Sequence, residues 1–155
     1  MIPHETWLEM AVELALESVR EAGGRPFGAV IVKNGALVAT GVNELHRTGD
    51  PTAHAELQAI REACVRLDTP RLDGCTVYAS GHPCPMCLAA MHLCGVDACF
   101  YAYSNAEGEP WGLGTAPIYE QLAKPLAEQS LYIRHMPVRP EGEDLYEVWA
   151  RTRKG

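Results

Sequence analysis

Residues 27–41 read FGAVIVKNGALVATG. Two runs rich in Val, Ile and Ala flank Asn34-Gly35, the dipeptide that most readily adopts the two-residue turn of a β-hairpin. The stretch therefore predicts an antiparallel hairpin. A hairpin this early means that any sheet built on it is mixed rather than all parallel. Upstream, Thr6-Trp7-Leu8-Glu9 has the form of a capping box, and Leu8, Val12, Ala15, Leu16 and Val19 recur at helical spacing until Gly23-Gly24. Downstream, a polar loop, NELHRTGDPT, leads into a helix over AHAELQAIREACVRL, buried on its Ala55, Ala59, Ala63 side. CTVYAS reads as a third strand, MCLAAMHLC as a compact helix closed by Gly95, and VDACFYAY as a fourth strand. SNAEGEPWGLGTAP shows no periodicity and reads as a loop. A short helix at IYEQL, a fifth strand at LYIRHMPV and a last helix at GEDLYEVWARTR complete the chain. Alternating strands and helices predict one α/β domain over residues 1–155. Its architecture is a three-layer αβα sandwich, a mixed five-stranded sheet with helices on both faces.

Composition narrows the classes. The 155 residues suffice for one hydrophobic core. A 47% hydrophobic and 21% charged balance is that of a globular chain. No apolar run approaches the ~20 residues of a membrane helix, so no membrane association is expected. The acidic, helix-patterned start lacks the basic residues of a secretory leader, which predicts a cytoplasmic location. In that reducing compartment the six cysteines are read as thiols or metal ligands. Thirteen Lys and Arg against 20 Asp and Glu give a net charge of −7, which speaks against a nucleic-acid partner. The single basic cluster, Arg151, Arg153 and Lys154, reads as a solvated helix end.

Chemistry concentrates in GHPCPMC, residues 81–87. Cys84 and Cys87 stand one helical turn apart at a predicted helix start, where free backbone N–H groups and the positive dipole end stabilise thiolates. Pro85 fits there, since a proline in the first turn gives up no helical hydrogen bond. His54 in Ala53-His54-Ala55-Glu56 would begin another helix after another strand. One His and two Cys make three zinc ligands, and the fourth position is left for water, as in catalytic sites. Glu56 could touch that water. A redox Cys pair, or a closed structural site completed by His82 or His46, stays open on spacing alone. Cys64, Cys75, Cys94 and Cys99 read as small core residues, and His4, His92 and His135 as structural ones.

His-x-Glu at 54–56 followed by Pro-Cys-x-x-Cys at 83–87 resembles the signature of the cytidine deaminase-like zinc deaminases. PFGAVIVKNG, GVN, DPTAHAE, TVYAS, PCPMCLAA and IYEQLAKP extend the resemblance over most of the chain, toward the guanine deaminase and tRNA adenosine deaminase branch. The resemblance implies the cytidine deaminase-like fold. It implies one Zn2+ per chain, with a bound water or hydroxide, held by His54, Cys84 and Cys87, and Glu56 as the catalytic proton carrier. It further implies that Asn43 hydrogen-bonds the substrate ring, that Phe27 lines the pocket and that the Ala55 amide faces the ring. Trp111 could add to such a mostly apolar pocket. The expected reaction is hydrolytic deamination of a small heterocycle, foremost guanine to xanthine. The alternatives are wobble adenosine in tRNA, cytosine, isocytosine, a pterin or a triazine; a zinc-stabilised binding domain would not need Glu56. A C-terminal helix and tail, about 141–155, is expected to cover an active site. With the apolar MCLAAMHLC and the exposed-type residues Tyr146 and Trp149, it predicts a homodimer.

Two departures from the branch border the expected pocket. Gly112-Leu113-Gly114-Thr115-Ala116 stands where such enzymes carry an acidic pair before the IY helix, and His82 stands where Glu commonly precedes Pro-Cys. These leave the identity of the base open.

Overall fold

The computed structural model describes residues 1–153. Its elements in order are α1 (His4–Ala22), β1 (Gly28–Lys33), β2 (Ala36–Val42), α2 (Leu45–Thr48), α3 (Ala55–Leu67), β3 (Cys75–Gly81), α4 (Pro85–Cys94), β4 (Ala98–Tyr103), α5 (Asn105–Gly108), α6 (Ala116–Leu122) and α7 (Leu145–Thr152), with 3-10 turns at Glu109–Trp111 and Leu126–Glu128. The chain divides into two compact units, Met1–Glu120 and Gln121–Gly155.

The first unit is built on the hairpin. Asn34 and Gly35 both take positive φ, 52° and 74°, the geometry that lets a two-residue loop follow the strand twist. β1 then pairs on both edges, antiparallel to β2 and to β3, and β4 joins β3 in parallel, giving the order β2-β1-β3-β4. Strand alternation sorts the core into two layers. Val30, Val32 and Tyr78 pack with Trp7 and Ala11 of α1 on one face. Ala29, Ile31 and Val77 pack with the alanine face of α3 and with Met91 of α4 on the other. The free edge of β2 is partly closed by Arg66, whose guanidinium, held by Glu62, donates to the Val38 carbonyl at 2.9 Å.

α3 lies close to the sheet because small residues face each other. A Cβ on Gly41 would collide with the Ala55 carbonyl and stand 2.7 Å from the Ala59 nitrogen. In the second unit, Gln121 Oε1 accepts from the Ser130 N–H at 2.7 Å. Asp144 caps α7 by accepting from the Glu147 N–H at 3.2 Å. Arg153 lies over the Trp149 ring, and Lys154 of the expected basic cluster lies outside the described residues.

Three expectations are corrected. The sheet has four strands, not five, because residues 131–138 form no ladder and are almost wholly exposed. Arg134 sits over the Tyr132 ring, as side chains two apart do in extended backbone, but Pro137 offers no donor and, among the described residues, no strand pairs with this segment. β-propensity describes fit to a sheet surface and does not build a strand without one. α1 starts at His4 behind Pro3, with no side-chain cap, so Thr6 is inside the helix. The loops 43–52 and 104–117 contain α2 and α5, the latter opened by a true capping box between Ser104 and Glu107.

Gly41→Ala is expected to destabilise the protein by about 2 kcal/mol, because a methyl group must displace helix backbone rather than a flexible side chain. Thermal denaturation should show the midpoint falling by roughly 5 °C; an unchanged midpoint would mean that α3 has room to retreat.

Candidate metal centre and active site

His54 and Cys84 occupy equivalent positions on different helices. His54 is the N-cap of α3 (φ −75°, ψ 152°) and Cys84 the N-cap of α4 (φ −69°, ψ 165°). β2 and β3 both run antiparallel to β1, so both helices leave the same end of the sheet. Cys87 sits one turn into α4, after Pro85 in the first turn. His54 Nδ1 lies 3.4 Å from Cys84 Sγ and 3.5 Å from Cys87 Sγ, and the three donor atoms all fall within 4.8 Å of one another.

The donor set fits zinc. A tetrahedral centre with metal–sulfur bonds of about 2.3 Å and metal–nitrogen bonds of about 2.0 Å has a sulfur–nitrogen edge of about 3.5 Å. Protonation fits as well. Cys87 and then His54 hold the Cys84 thiol down at about 4, while the Cys84 thiolate pushes the Cys87 thiol up. The thiolate also raises His54. The cluster thus holds protons around one shared negative centre, and a divalent cation displaces them. Cys84 and Cys87 are both buried and His54 half-buried, so ligands and access are separated.

Glu56, on the first turn of α3, is only 6% exposed. Burial pushes its carboxyl above the usual range and the Cys84 thiolate adds to this, while His54 and a hydrogen bond from the Cys87 thiol act against it. A carboxyl raised in this way holds a proton more readily than a solvated one and can pass it on to a bound group.

The register lines up a second set of residues at the same end. Gly28 pairs with Val42 and Ala29 with Ala79, so Phe27 stands between Asn43 and Gly81 in one row across the strand ends, and His82 follows one residue beyond Gly81. The Asn43 N–H donates to the Phe27 carbonyl at 3.2 Å, and the His82 N–H to the Tyr103 carbonyl at 2.8 Å. Asn43 is buried, and its Oδ1 accepts from the Leu45 N–H at 3.0 Å, so half of its amide caps α2. Ala55 is fully buried at the start of α3. The Phe27 ring lies on Gly81, where a Cβ would stand 3.2 Å from it, and packs on the core layer containing Ala55.

Phe27, Gly81, His82, Asn105 and Trp111 wall a cavity of about 520 Å³. Trp111 is 79% exposed at its rim. His54, Glu56, Cys84, Asn43 and Ala55 are not among its walls; the wall residue His82 stands two positions before Cys84 in the chain. A larger groove of about 910 Å³ runs along β2 between α1 and α3; its mixed-charge walls include His46, which the sequence offered as a fourth ligand, and none of the other candidate residues.

Spacing could not reveal one further arrangement. The Tyr119 hydroxyl of α6 donates to the Pro83 carbonyl, to which His82 Nδ1 is also bound at 2.9 Å. The peptide before Cys84 is therefore held from two sides.

A Cys84→Ala, Cys87→Ala double variant should fall from about one zinc per chain to almost none on metal analysis, since a lone imidazole cannot hold the ion. Full retention of zinc would remove both thiols from the ligand set.

The model of the cytidine and deoxycytidylate deaminase zinc-binding region matches residues 1–103. The guanine deaminase of Bacillus subtilis is 46% identical over 128 residues, 83% of this chain and 82% of that protein. The tRNA-specific adenosine deaminase of Aquifex aeolicus is 33% identical over 150 residues, 96% of this chain and 95% of that one. The crystal structure of the Bacillus subtilis guanine deaminase superposes with a TM-score of 0.88 at 41% identity, covering 97% of this chain and 95% of that one. With His54, Cys84, Cys87 and Glu56 converging as the motif requires, the chain belongs to the cytidine and deoxycytidylate deaminase zinc-binding family and is a zinc-dependent deaminase.

Proposed function

We propose that this protein hydrolytically deaminates guanine to xanthine, releasing ammonia. The observation that carries this reading is the likeness to the guanine deaminase of Bacillus subtilis, at 46% identity, joined to a buried carboxyl beside the His-Cys-Cys cluster. Zinc held by His54, Cys84 and Cys87 supplies a Lewis acid that makes water acidic enough to lose a proton near neutral pH. Glu56 would take that proton and pass it to the ring nitrogen beside the amine-bearing carbon as the water oxygen bonds to that carbon; it would then carry the oxygen's second proton to the amine, whose C–N bond breaks to release ammonia. Asn43 Nδ2, which makes no hydrogen bond among the described residues, is assigned to the substrate ring. Phe27 provides a flat apolar wall, the Ala55 amide faces the ring, and Trp111 closes the outer side.

A second reading, deamination of wobble adenosine in tRNA, is favoured by the 96% coverage in the match to the Aquifex aeolicus enzyme. Against it stands the net charge of −7, because a polynucleotide substrate needs several phosphate-neutralising cations. The substrate is therefore assigned as a free heterocycle. Ammonia release should be measured on guanine, adenine, cytosine, isocytosine, pterins and triazines, beside inosine formation in an anticodon stem-loop. Guanine is expected to lead, and efficient editing of RNA with no activity on any free base would overturn the reading.

The six free thiols support a reducing, cytoplasmic setting, and no helix among the described residues is long and apolar enough to cross a membrane. The segment 141–155 is assigned as a cover over an active site, of its own chain or of a second copy. Exposed Leu145, Tyr146 and Trp149 support an apolar docking role, and a homodimer follows from it. Light scattering at micromolar concentration should give twice the chain mass; a fully active monomer would contradict the assignment.

Glu56→Gln is expected to keep zinc and fold while losing roughly 10³-fold or more in turnover, the scale of removing a proton carrier. Loss of metal in that variant would instead make Glu56 a ligand.

A further inference from the structure

His82 is positioned with one ring nitrogen already committed. Its Nδ1 lies 2.9 Å from the Pro83 carbonyl, which can only accept, so Nδ1 carries the hydrogen. Tyr101 and Tyr119 meet the imidazole edge-on, with centroids at 4.8 Å and 5.4 Å, and hold its plane. In the neutral ring, Nε2 is then an acceptor and the remaining polar atom of a side chain that walls the 520 Å³ cavity.

Asn105, also in that wall, is fixed in the opposite sense. Its Oδ1 accepts from the Thr115 N–H at 3.4 Å and from the Thr115 hydroxyl at 3.3 Å. The amide nitrogen is thereby turned toward His82, with Nδ2 3.3 Å from Nδ1. Two donors cannot bond each other, so the Nδ2 hydrogens remain for another acceptor. An acceptor and a donor thus stand side by side, two residues along the chain from a candidate zinc ligand.

The geometry points to His82 and Asn105 as the specificity-determining pair of the cavity, reading the N–H and C=O of a lactam edge and so selecting 2-amino-oxo heterocycles. This rests on the deaminase function proposed above and on the substrate reaching from the His-Cys-Cys cluster to the cavity wall at His82. The ring N–H beside the reacting carbon donates to His82 Nε2, and the neighbouring carbonyl accepts from Asn105 Nδ2. Guanine, isocytosine and pterins carry that edge. Adenine lacks it, and 2,6-diaminopurine inverts it, with an acceptor nitrogen and a donor amine. Buried polar groups left facing like groups make such a site selective.

The test uses the full-length zinc-loaded protein. Binding of guanine and of 2,6-diaminopurine is measured in the Glu56→Gln background, where turnover does not interfere, and kcat/KM is measured with Glu56 intact. His82→Asn places an amide N–H where Nδ1 was, keeping the Pro83 contact, and has nothing at Nε2. His82→Gln places a polar group at Nε2 instead. Asn105→Asp keeps an oxygen for Thr115 and replaces the donor by an acceptor. His82→Asn should keep zinc and thermal midpoint while the guanine preference over 2,6-diaminopurine falls about tenfold, the scale of one buried hydrogen bond. His82→Gln should recover part of that preference, and Asn105→Asp should shift it toward 2,6-diaminopurine. Equal losses on both ligands, or loss of zinc in His82→Asn, would reduce the pair to a structural role and overturn the inference. A wild type that turns over no 2-amino-oxo heterocycle fails the function proposed above instead, and the binding ratios then decide the pair on their own: an unmoved ratio sinks it.

Discussion

Everything at the site depends on two helix N-termini being delivered to one point. β1 lies between β2 and β3 and runs against both, so the strands that feed α3 and α4 share a direction and end together. The first backbone N–H groups of each helix have no helical acceptor, and their partial positive charge favours the thiolate of Cys84 and the carboxylate form of Glu56. Were the hairpin replaced by a parallel crossover, β1 and β2 would point alike and His54 would emerge at the wrong end of the sheet.

Close packing converts this direction into distance. Ala55, Ala59 and Ala63 let α3 settle against β1 and β2, and the missing side chain of Gly41 removes the last obstacle. A helix that cannot slide holds His54 Nδ1 within 3.5 Å of both sulfurs. Preorganisation of this kind limits the reorganisation that binding would otherwise demand. The contact of His82 and Tyr119 with the Pro83 carbonyl does the same for the Cys84 side.

How much of this was legible in the sequence depends on the range of the interaction. Asn34-Gly35 fixed the hairpin because turn chemistry is local. His-x-Glu and Pro-Cys-x-x-Cys disclosed the ligands because each half sits within one helical turn. The same kind of local pattern misled at Thr6-Trp7-Leu8-Glu9, where Pro3 begins the helix earlier, and was overlooked at Ser104-Asn105-Ala106-Glu107, where the box is real. Residues 131–138 have strand composition and form no strand, since a ladder needs a partner that no residue list can supply. The tie from Tyr119 to Pro83 spans 36 positions and leaves no trace in spacing.

The clip between Asn105 and Thr115 has an evolutionary consequence. One side-chain oxygen, accepting twice, closes a loop whose interior contributes Trp111 and Leu113 to the cavity wall and nothing to the His-Cys-Cys cluster. Sequence drift between those two anchors can therefore remodel which ring is admitted while the hydrolytic machinery stays intact. A scaffold divided in this way diversifies by changing its clientele without relearning its chemistry, and lineages descended from it should differ most in residues 106–114.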